Sequence, residues 1–242
     1  MRTIQKIAVH HKTGKKYILK SLVEDFYTPA GTLKKEDVHK TEVQSSTGDL
    51  FTLLDPQFAD VAEFFQRGPQ VILAKDIGLI IAKTGLSKEW NVVDACGGSG
   101  ALCLALAQVC KEVFVYEINP EHYKIVVKNV GICGATNVTT KQEDIYQGIT
   151  ESNVDLITLD LPEPWQVVVH AEKALKTGGF LVAYLPNLTQ VKEFVDSLRK
   201  TKFTVIETVE LLERKWKIEG QIMRPEFQML GHTGFLTFVR KI

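Results

Sequence analysis

An α/β fold, in which a mainly parallel sheet carries helices on both faces behind a small N-terminal β domain, is predicted by three features of this 242-residue chain. A strand, a glycine turn and a helix succeed one another over residues 92–107. A second apolar run ends in an acid at Glu117. Strand-like and helical runs then alternate to the C-terminus, which is the pattern of a doubly wound sheet.

Taken in order, residues 1–40 hold nine lysines and arginines against four acids. Short strands broken by turns are expected there: Thr3 to His10, the Thr13-Gly14 turn, Tyr17 to Leu22, Asp25 to Pro29 and the Ala30-Gly31 turn. This segment reads as a small β domain over residues 1–54. Its lysines suit either phosphate contact or an ordinary solvated surface. From Asp55 the period turns helical, with Phe58, Val61, Phe64 and Phe65 on one face and Arg67-Gly68-Pro69-Gln70 closing it. Val71 to Asp76 then leads into a second helix through Ile80 and Ile81.

Val92-Val93-Asp94-Ala95 is an apolar strand ending at an acid, and Cys96-Gly97-Gly98-Ser99-Gly100 breaks it. Ala101 to Ala107 restarts as a run of good helix formers. The glycines let the backbone approach a ligand without a Cβ, and a helix start offers unpaired N–H groups. Val113 to Tyr116 forms the next strand, and Glu117 at its tip is placed to grip the two hydroxyls of a ribose. The G-x-G-x-x-G pattern of dinucleotide sites is not met. Asp94 would repel a pyrophosphate but suits an amino-acid ammonium, which favours S-adenosylmethionine over NAD.

Later strands are expected at Asn137 to Lys141, Val154 to Leu159, Gly179 to Tyr184, Phe203 to Leu211 and Thr233 to Val239. Helices are expected at Glu121 to Val130, Pro164 to Lys176 and Leu188 to Lys200. The last two strands have no helix between them, so the final strand is expected to return antiparallel, giving seven strands in all. Asp144, after the third strand, could accept from the exocyclic amine of an adenine. Asp160-Leu161-Pro162-Glu163-Pro164-Trp165 ends the fourth, and two prolines in three residues fix its backbone. In such a loop Asp160 also suits a helix N-cap, and Trp165 also suits packing on the sheet.

Composition narrows the class. The formal net charge is zero and no apolar run approaches the roughly 20 residues of a membrane span, so a soluble, cytoplasmic protein without a membrane role is expected. Cys96, Cys103, Cys110 and Cys133 include no C-x-x-C pair and read as buried reduced thiols, with no metal site.

Several of these runs together resemble the tRNA (adenine-N1)-methyltransferases that modify the T-loop adenosine at tRNA position 58, and within them the archaeal branch. The resemblance rests on Arg67-Gly68-Pro69-Gln70 with Lys75-Asp76, the glycine turn, Glu117, Asp144 and Asp160-Leu161-Pro162-Glu163-Pro164-Trp165. It continues through Tyr184-Leu185-Pro186-Asn187 with Gln190, then Arg224-Pro225 and Met229-Leu230-Gly231-His232-Thr233-Gly234-Phe235-Leu236, over roughly residues 55–242.

The resemblance implies a class I, Rossmann-like methyltransferase fold over residues 55–242, S-adenosylmethionine as cofactor, tRNA as partner and a homotetramer. Gly98, Ser99, Gly100 and Ala101, after Gly97, match the turn that holds the methionine part. Glu117 matches the ribose acid, His122 a further cofactor contact and Asp144 the adenine acid. Asp160 matches the acid beside the transferring methyl. The chain departs from the family where Asp94 replaces Glu, Cys96 replaces a glycine, and Leu73-Ala74 stands before Lys75-Asp76 in place of Tyr-Pro.

Adenine N1 carries a lone pair and no proton at neutral pH, so the reaction asks for alignment more than for a base. Positive charge develops on the ring, and a carboxylate accepting from the 6-amino group strengthens with it. Asp160 is the expected catalytic residue. The target base must leave its stack, and Trp165, Tyr184, Phe227 and His232 are candidates to line its pocket. Two alternatives stand beside this reading: a catalytically silent RNA-binding subunit of the same fold, and a methyltransferase acting on another acceptor.

Overall fold

A computed structural model describes residues 4–66, 68 and 71–242. The chain divides into two compact units, Met1–Gln66 with Lys128–Thr136, and Arg67–Val127 with Asn137–Ile242.

The first unit holds β1 (Lys6–His10), β2 (Lys16–Leu19), the hairpin strands β3 (Phe26–Thr28) and β4 (Gly31–Leu33), then β5 (Glu42–Gln44) and β6 (Leu50–Leu54). Four of these form an antiparallel sheet in the order β2-β1-β6-β5. Side chains alternate along a strand, so β6 sends Phe51 and Leu53 inward to meet Ala8, Leu19, Leu33, Val38 and Val43. Thr3, the expected start of the first strand, lies outside the described residues.

Helix α1 is shorter than its apolar spacing predicts. It covers Phe58–Ala62, opened by a capping box between Gln57 and Asp60, and Phe64 and Phe65 follow in turns. Phe58 and Phe65 still meet edge to face at 6.1 Å between ring centroids. Residues 128–136 belong to this unit for a visible reason. The Asn129 amide, wholly buried, accepts from the backbone N–H of Gln66 at 3.0 Å and donates to its carbonyl at 2.9 Å. In the motif at 67–70 only Gly68 falls among the described residues.

The second unit opens with α2 (Ala74–Thr84), then β7 (Asn91–Ala95), α3 (Ala101–Ala107), β8 (Glu112–Tyr116) and α4 (Pro120–Cys133), whose residues from Lys128 on belong to the first unit. It continues through β9 (Val138–Lys141), β10 (Val154–Leu159), α5 (Val168–Ala174), β11 (Leu175–Leu185), α6 (Leu188–Ser197) and β12 (Phe203–Glu210). A hairpin of β13 (Trp216–Glu219) and β14 (Ile222–Pro225) and the final strand β15 (Phe235–Lys241) complete it.

Seven strands form one sheet in the order β12-β15-β11-β10-β7-β8-β9. β15 runs antiparallel to both β11 and β12, and the other pairings are parallel. All six residues of β10 are buried, as a central strand covered on both faces requires. Val154, Ile157 and Leu159 join Val93, Ala95, Leu181, Phe194 and Val239 in the main core. The chain leaves β7 toward β8 and β9, then returns to β10 on the other side of β7. That reversal is a topological switch point, where doubly wound sheets place their ligands.

Further features differ from the sequence expectation. The helix expected over 164–176 is a 3-10 turn at Pro164–Val167 followed by α5, and Leu175 and Lys176 already belong to β11. The β13–β14 hairpin was not anticipated. Glu219 pairs with Ile222 across a two-residue loop whose Gly220 has φ +57°, the geometry that glycine-led hairpin loops adopt.

Candidate active site

At the switch point the backbone turns sharply out of β7. The N–H groups of Cys96 and Gly97 both donate to the Tyr116 carbonyl, at 2.9 and 3.1 Å, stitching the turn to the end of β8. Gly100 caps α3 with φ +79°, and a Cβ there would sit 2.9 Å from the Val126 side chain. Both its conformation and its packing call for glycine. Cys96 takes the same left-handed region, at φ +70°, with a side chain. An L residue there costs about 1 kcal/mol or more.

Three carboxylates gather around this turn. Glu117, 2% exposed, accepts from Gly98 N–H at 2.9 Å and Asn119 N–H at 2.8 Å, one on each oxygen. The Cys96 thiol lies against the same carboxylate. Asp94, also 2% exposed, accepts from the Thr158 hydroxyl at 2.6 Å. Burial pushes its carboxyl up to about 7; the Thr158 bond opposes that, and the nearby charges of Asp160 and Glu117 add to it. Burial alone lifts Asp160 to about 6. The Cys96 thiol is pushed up to about 12 by burial and by the same three acids, so it stays protonated and unreactive.

A cavity of about 320 Å³ opens over these groups. Among the residues singled out from sequence, Asp94, Gly97, Gly98, Ser99, Ala101, His122, Asp160 and Tyr184 line it. Gly100 and Glu117 are not in the lining; they hold the turn from behind. Asp144 lies apart, in a shallow depression with Glu143 and Gln147. There it caps a 3-10 turn, accepting from Tyr146 N–H at 3.0 Å and the Gln147 amide at 3.2 Å.

Trp165 is half-buried in the turn after Asp160 and outside the cavity lining. His232 is exposed and also outside it. Its Nδ1 lies 2.6 Å from Glu210 Oε1 and its Nε2 2.7 Å from the Pro186 carbonyl. Both partners are acceptors, and the Glu210 bond followed by the Pro186 bond holds the imidazole above its ordinary value. Phe227 is 86% exposed, with the Arg224 guanidinium 3.8 Å from its ring centroid.

Sequence reasoning passed over five contributing residues. Thr158 reads as one polar residue in an apolar strand, and that oddity was the available signal. Gln190 was quoted only as part of a motif; it lines the cavity and donates from Nε2 to the Pro162 carbonyl at 2.8 Å. Asn187 donates from Nδ2 to Gln190 Oε1 at 2.5 Å, so the Gln190 amide is oriented and the proline loop carrying Asp160 is pinned to the start of α6. Val71 and Ile72 line the wall, where Leu73 had drawn attention instead. Leu73 serves as the N-cap of α2.

A crevice at the switch point, lined by acids that hold protons near neutral pH, is built for a ligand carrying positive charge. Comparison with known proteins agrees in kind. The family model described as the tRNA methyltransferase complex GCD14 subunit matches residues 63–223. A protein of Methanocaldococcus jannaschii named tRNA (adenine(57)-N(1)/adenine(58)-N(1))-methyltransferase TrmI is 37% identical, over 94% of this chain and 92% of its own. Among solved structures, a protein of Thermotoga maritima described as a SAM-dependent O-methyltransferase aligns with a TM-score of 0.85 at 27% identity, over 100% of this chain and 94% of that one. The tRNA (m1A58) methyltransferase TrmI of Aquifex aeolicus aligns with a TM-score of 0.79 at 29% identity, over 100% of this chain and 98% of its own. The fold is that of the class I S-adenosylmethionine methyltransferases, and the chain belongs to the GCD14 family of tRNA methyltransferases.

Proposed function

We propose that this protein methylates N1 of the adenosine at position 58 in the T loop of tRNA, with S-adenosylmethionine as donor. The observation that carries the reading is the meeting of Asp94, Glu117 and Asp160 at the switch-point turn of a chain from this family. The residues fit the donor. Its ammonium and sulfonium are cations, and a cation beside Asp94 and Asp160 offsets the burial that holds protons on them. When bound, the donor supplies an electrophilic methyl group.

In this reading Asp94 faces the ammonium, and Gly97, Gly98, Ser99, Gly100 and Ala101 hold the methionine part. Glu117 takes the ribose hydroxyls, His122 makes a further contact, and Asp144 accepts from the cofactor's adenine amine. Asp160 accepts from the 6-amino group of the target base, strengthening as charge grows on the ring. Tyr184 walls the target pocket, and Trp165 and His232 bound it more remotely.

The partner is tRNA, engaged through basic residues such as those of segment 1–40, which carries with it a cytoplasmic location. Assembly as a homotetramer belongs to the same reading, and the apolar side chains left exposed on the β13–β14 hairpin, Trp216, Ile218 and Met223, support it. The relative from M. jannaschii is named for positions 57 and 58, so a second product at an adenosine 57 belongs to the proposal.

Methyl transfer from labelled S-adenosylmethionine to unmodified bulk tRNA tests the activity. Label is expected in RNA, with a rate that falls steeply as salt rises. Cofactor binding without label would leave the silent subunit or another acceptor.

A further inference from the structure

Beside Glu117 lies a polar network that the assignments above leave unused. Tyr116 closes β8 and Lys141 closes β9, directly opposite each other in the register. Tyr116 is 1% exposed and belongs to the main core, where a phenylalanine would fill much the same space. Its hydroxyl nevertheless lies 2.6 Å from Glu151 Oε2, 3.2 Å from Lys141 Nζ and 3.0 Å from the backbone nitrogen of Thr150. Lys141 also donates to the Thr150 hydroxyl at 2.5 Å and to Glu151 Oε1. The Lys141 and Glu151 side chains are only 17% and 9% exposed. A buried ion pair is weak evidence of stabilisation, since apolar residues of similar volume often do as well. Its position in the fold is the more informative fact.

Donor and acceptor counting fixes the bonds at the phenol. Burial works against the charge on Glu151, but the bonds from Lys141 and Tyr116 outweigh it and hold the carboxyl below its ordinary value. An ionised carboxylate only accepts, so Tyr116 gives its one proton to Glu151. An ammonium and a backbone N–H only donate, so the tyrosine oxygen receives from Lys141 and Thr150. Lys141 in turn directs its three N–H groups to Tyr116, Thr150 and Glu151. The hydroxyl is therefore saturated and tied to two separate pieces of chain, the end of β9 and the segment that returns to β10.

The same two residues hold the cofactor turn through their main chains. The Tyr116 carbonyl takes the N–H groups of Cys96 and Gly97, and the N–H of Glu117 donates to the Lys141 carbonyl at 3.0 Å. Tyr116 thus joins the glycine turn at its backbone to the network at its side chain, one residue before Glu117. We propose that Tyr116, Lys141 and Glu151 are positioning residues that fix the Glu117 carboxylate for the two hydroxyls of the cofactor's ribose. This rests on the reading of Glu117 given above and deepens it, because a carboxylate discriminates only when its own placement is fixed by its surroundings.

The test is titration calorimetry of the whole protein with S-adenosylhomocysteine and with its 2′,3′-dideoxy analogue, which lacks both ribose hydroxyls. Wild type is expected to prefer the hydroxylated ligand. Tyr116→Phe removes the phenol oxygen alone and should lower that preference about tenfold, as loss of one well-placed hydrogen bond at the ribose would. Glu151→Leu should lower it by a similar factor, and the double variant should go no lower, since the residues act as one unit. A Tyr116→Phe protein that weakens equally toward both ligands, as a merely structural role requires, or that keeps the wild-type ratio, would overturn the proposal. If Tyr116→Phe does not fold, the Glu151→Leu ratio decides alone. Wild-type protein that binds the two ligands equally would overturn the proposal together with the Glu117 assignment, and wild type that binds neither would defeat the donor reading itself, a result visible without any variant.

Discussion

Asp94 and Asp160 hold their protons to about pH 7 and about pH 6 in the free protein, against 3.8 for an ordinary aspartate. Two pH effects follow, with signs that can be worked out. Between about pH 4 and 7 the native state binds more protons than the unfolded chain, so stability from these groups is present below that window and is lost as pH rises through it. A cationic ligand favours the ionised form, so cofactor binding should release protons and tighten from pH 5 to pH 8. Titration calorimetry in buffers of different ionisation enthalpy reads the release directly, and a heat independent of buffer at pH 6.5 would contradict it. Cys96 offers a second residue-level check, because its φ of +70° favours glycine. Cys96→Gly should be more stable than Cys96→Ala by about 1 kcal/mol, the reverse of their order at ordinary buried sites, and denaturant unfolding of the two variants measures it. Asp160→Ala should lose roughly 100-fold or more in transfer rate at saturating cofactor; a loss of only a few-fold would remove it from the reaction.

Elements differed in how much of them the sequence disclosed. β7 and β8 were legible because an apolar run ending in an acid is a local pattern, and the glycines of the turn mark its break. The antiparallel return of β15 followed from the absence of a helix before it, and the pairing to β11 and β12 agrees. The β13–β14 hairpin was missed because Trp216 and Ile218 alternate with Lys217 over only four residues, too few to outweigh the charged stretch around them, although Gly220 was a usable turn signal. Asp144 was legible as a residue but not as a cap, since its bond to Tyr146 N–H depends on the turn that follows. Tyr116 and Glu151 lie 35 residues apart in the chain, and nothing local joins them. The hairpin also carries a prediction of its own. Ile218, 75% exposed, and Met223, 74% exposed, sit opposite each other in the register; replacing both with Asp should leave the fold intact and lower the oligomeric mass seen by sedimentation. An unchanged mass would separate the hairpin from assembly.

At the scale of the whole molecule, sheet order accounts for the location of the chemistry. The reversal between β7 and β10 leaves a crevice at their carboxyl ends, and the two loops there carry Asp94 through Ala101 on one side and Asp160 through Trp165 on the other. With a formal net charge of zero, electrostatic attraction is set by local groups such as Asp94, Glu117 and Asp160. Among the described residues no helix is long and apolar enough to cross a membrane, and no cluster of ligating side chains could hold a metal ion. Unmodified tRNA methylated by the protein should be digested to nucleosides, the methylated product identified by mass spectrometry, and its position mapped on the intact tRNA. 1-Methyladenosine at position 58 is the expected product; methyl groups on an oxygen, on the 6-amino nitrogen, or only outside the T loop would contradict the adenine-N1 assignment.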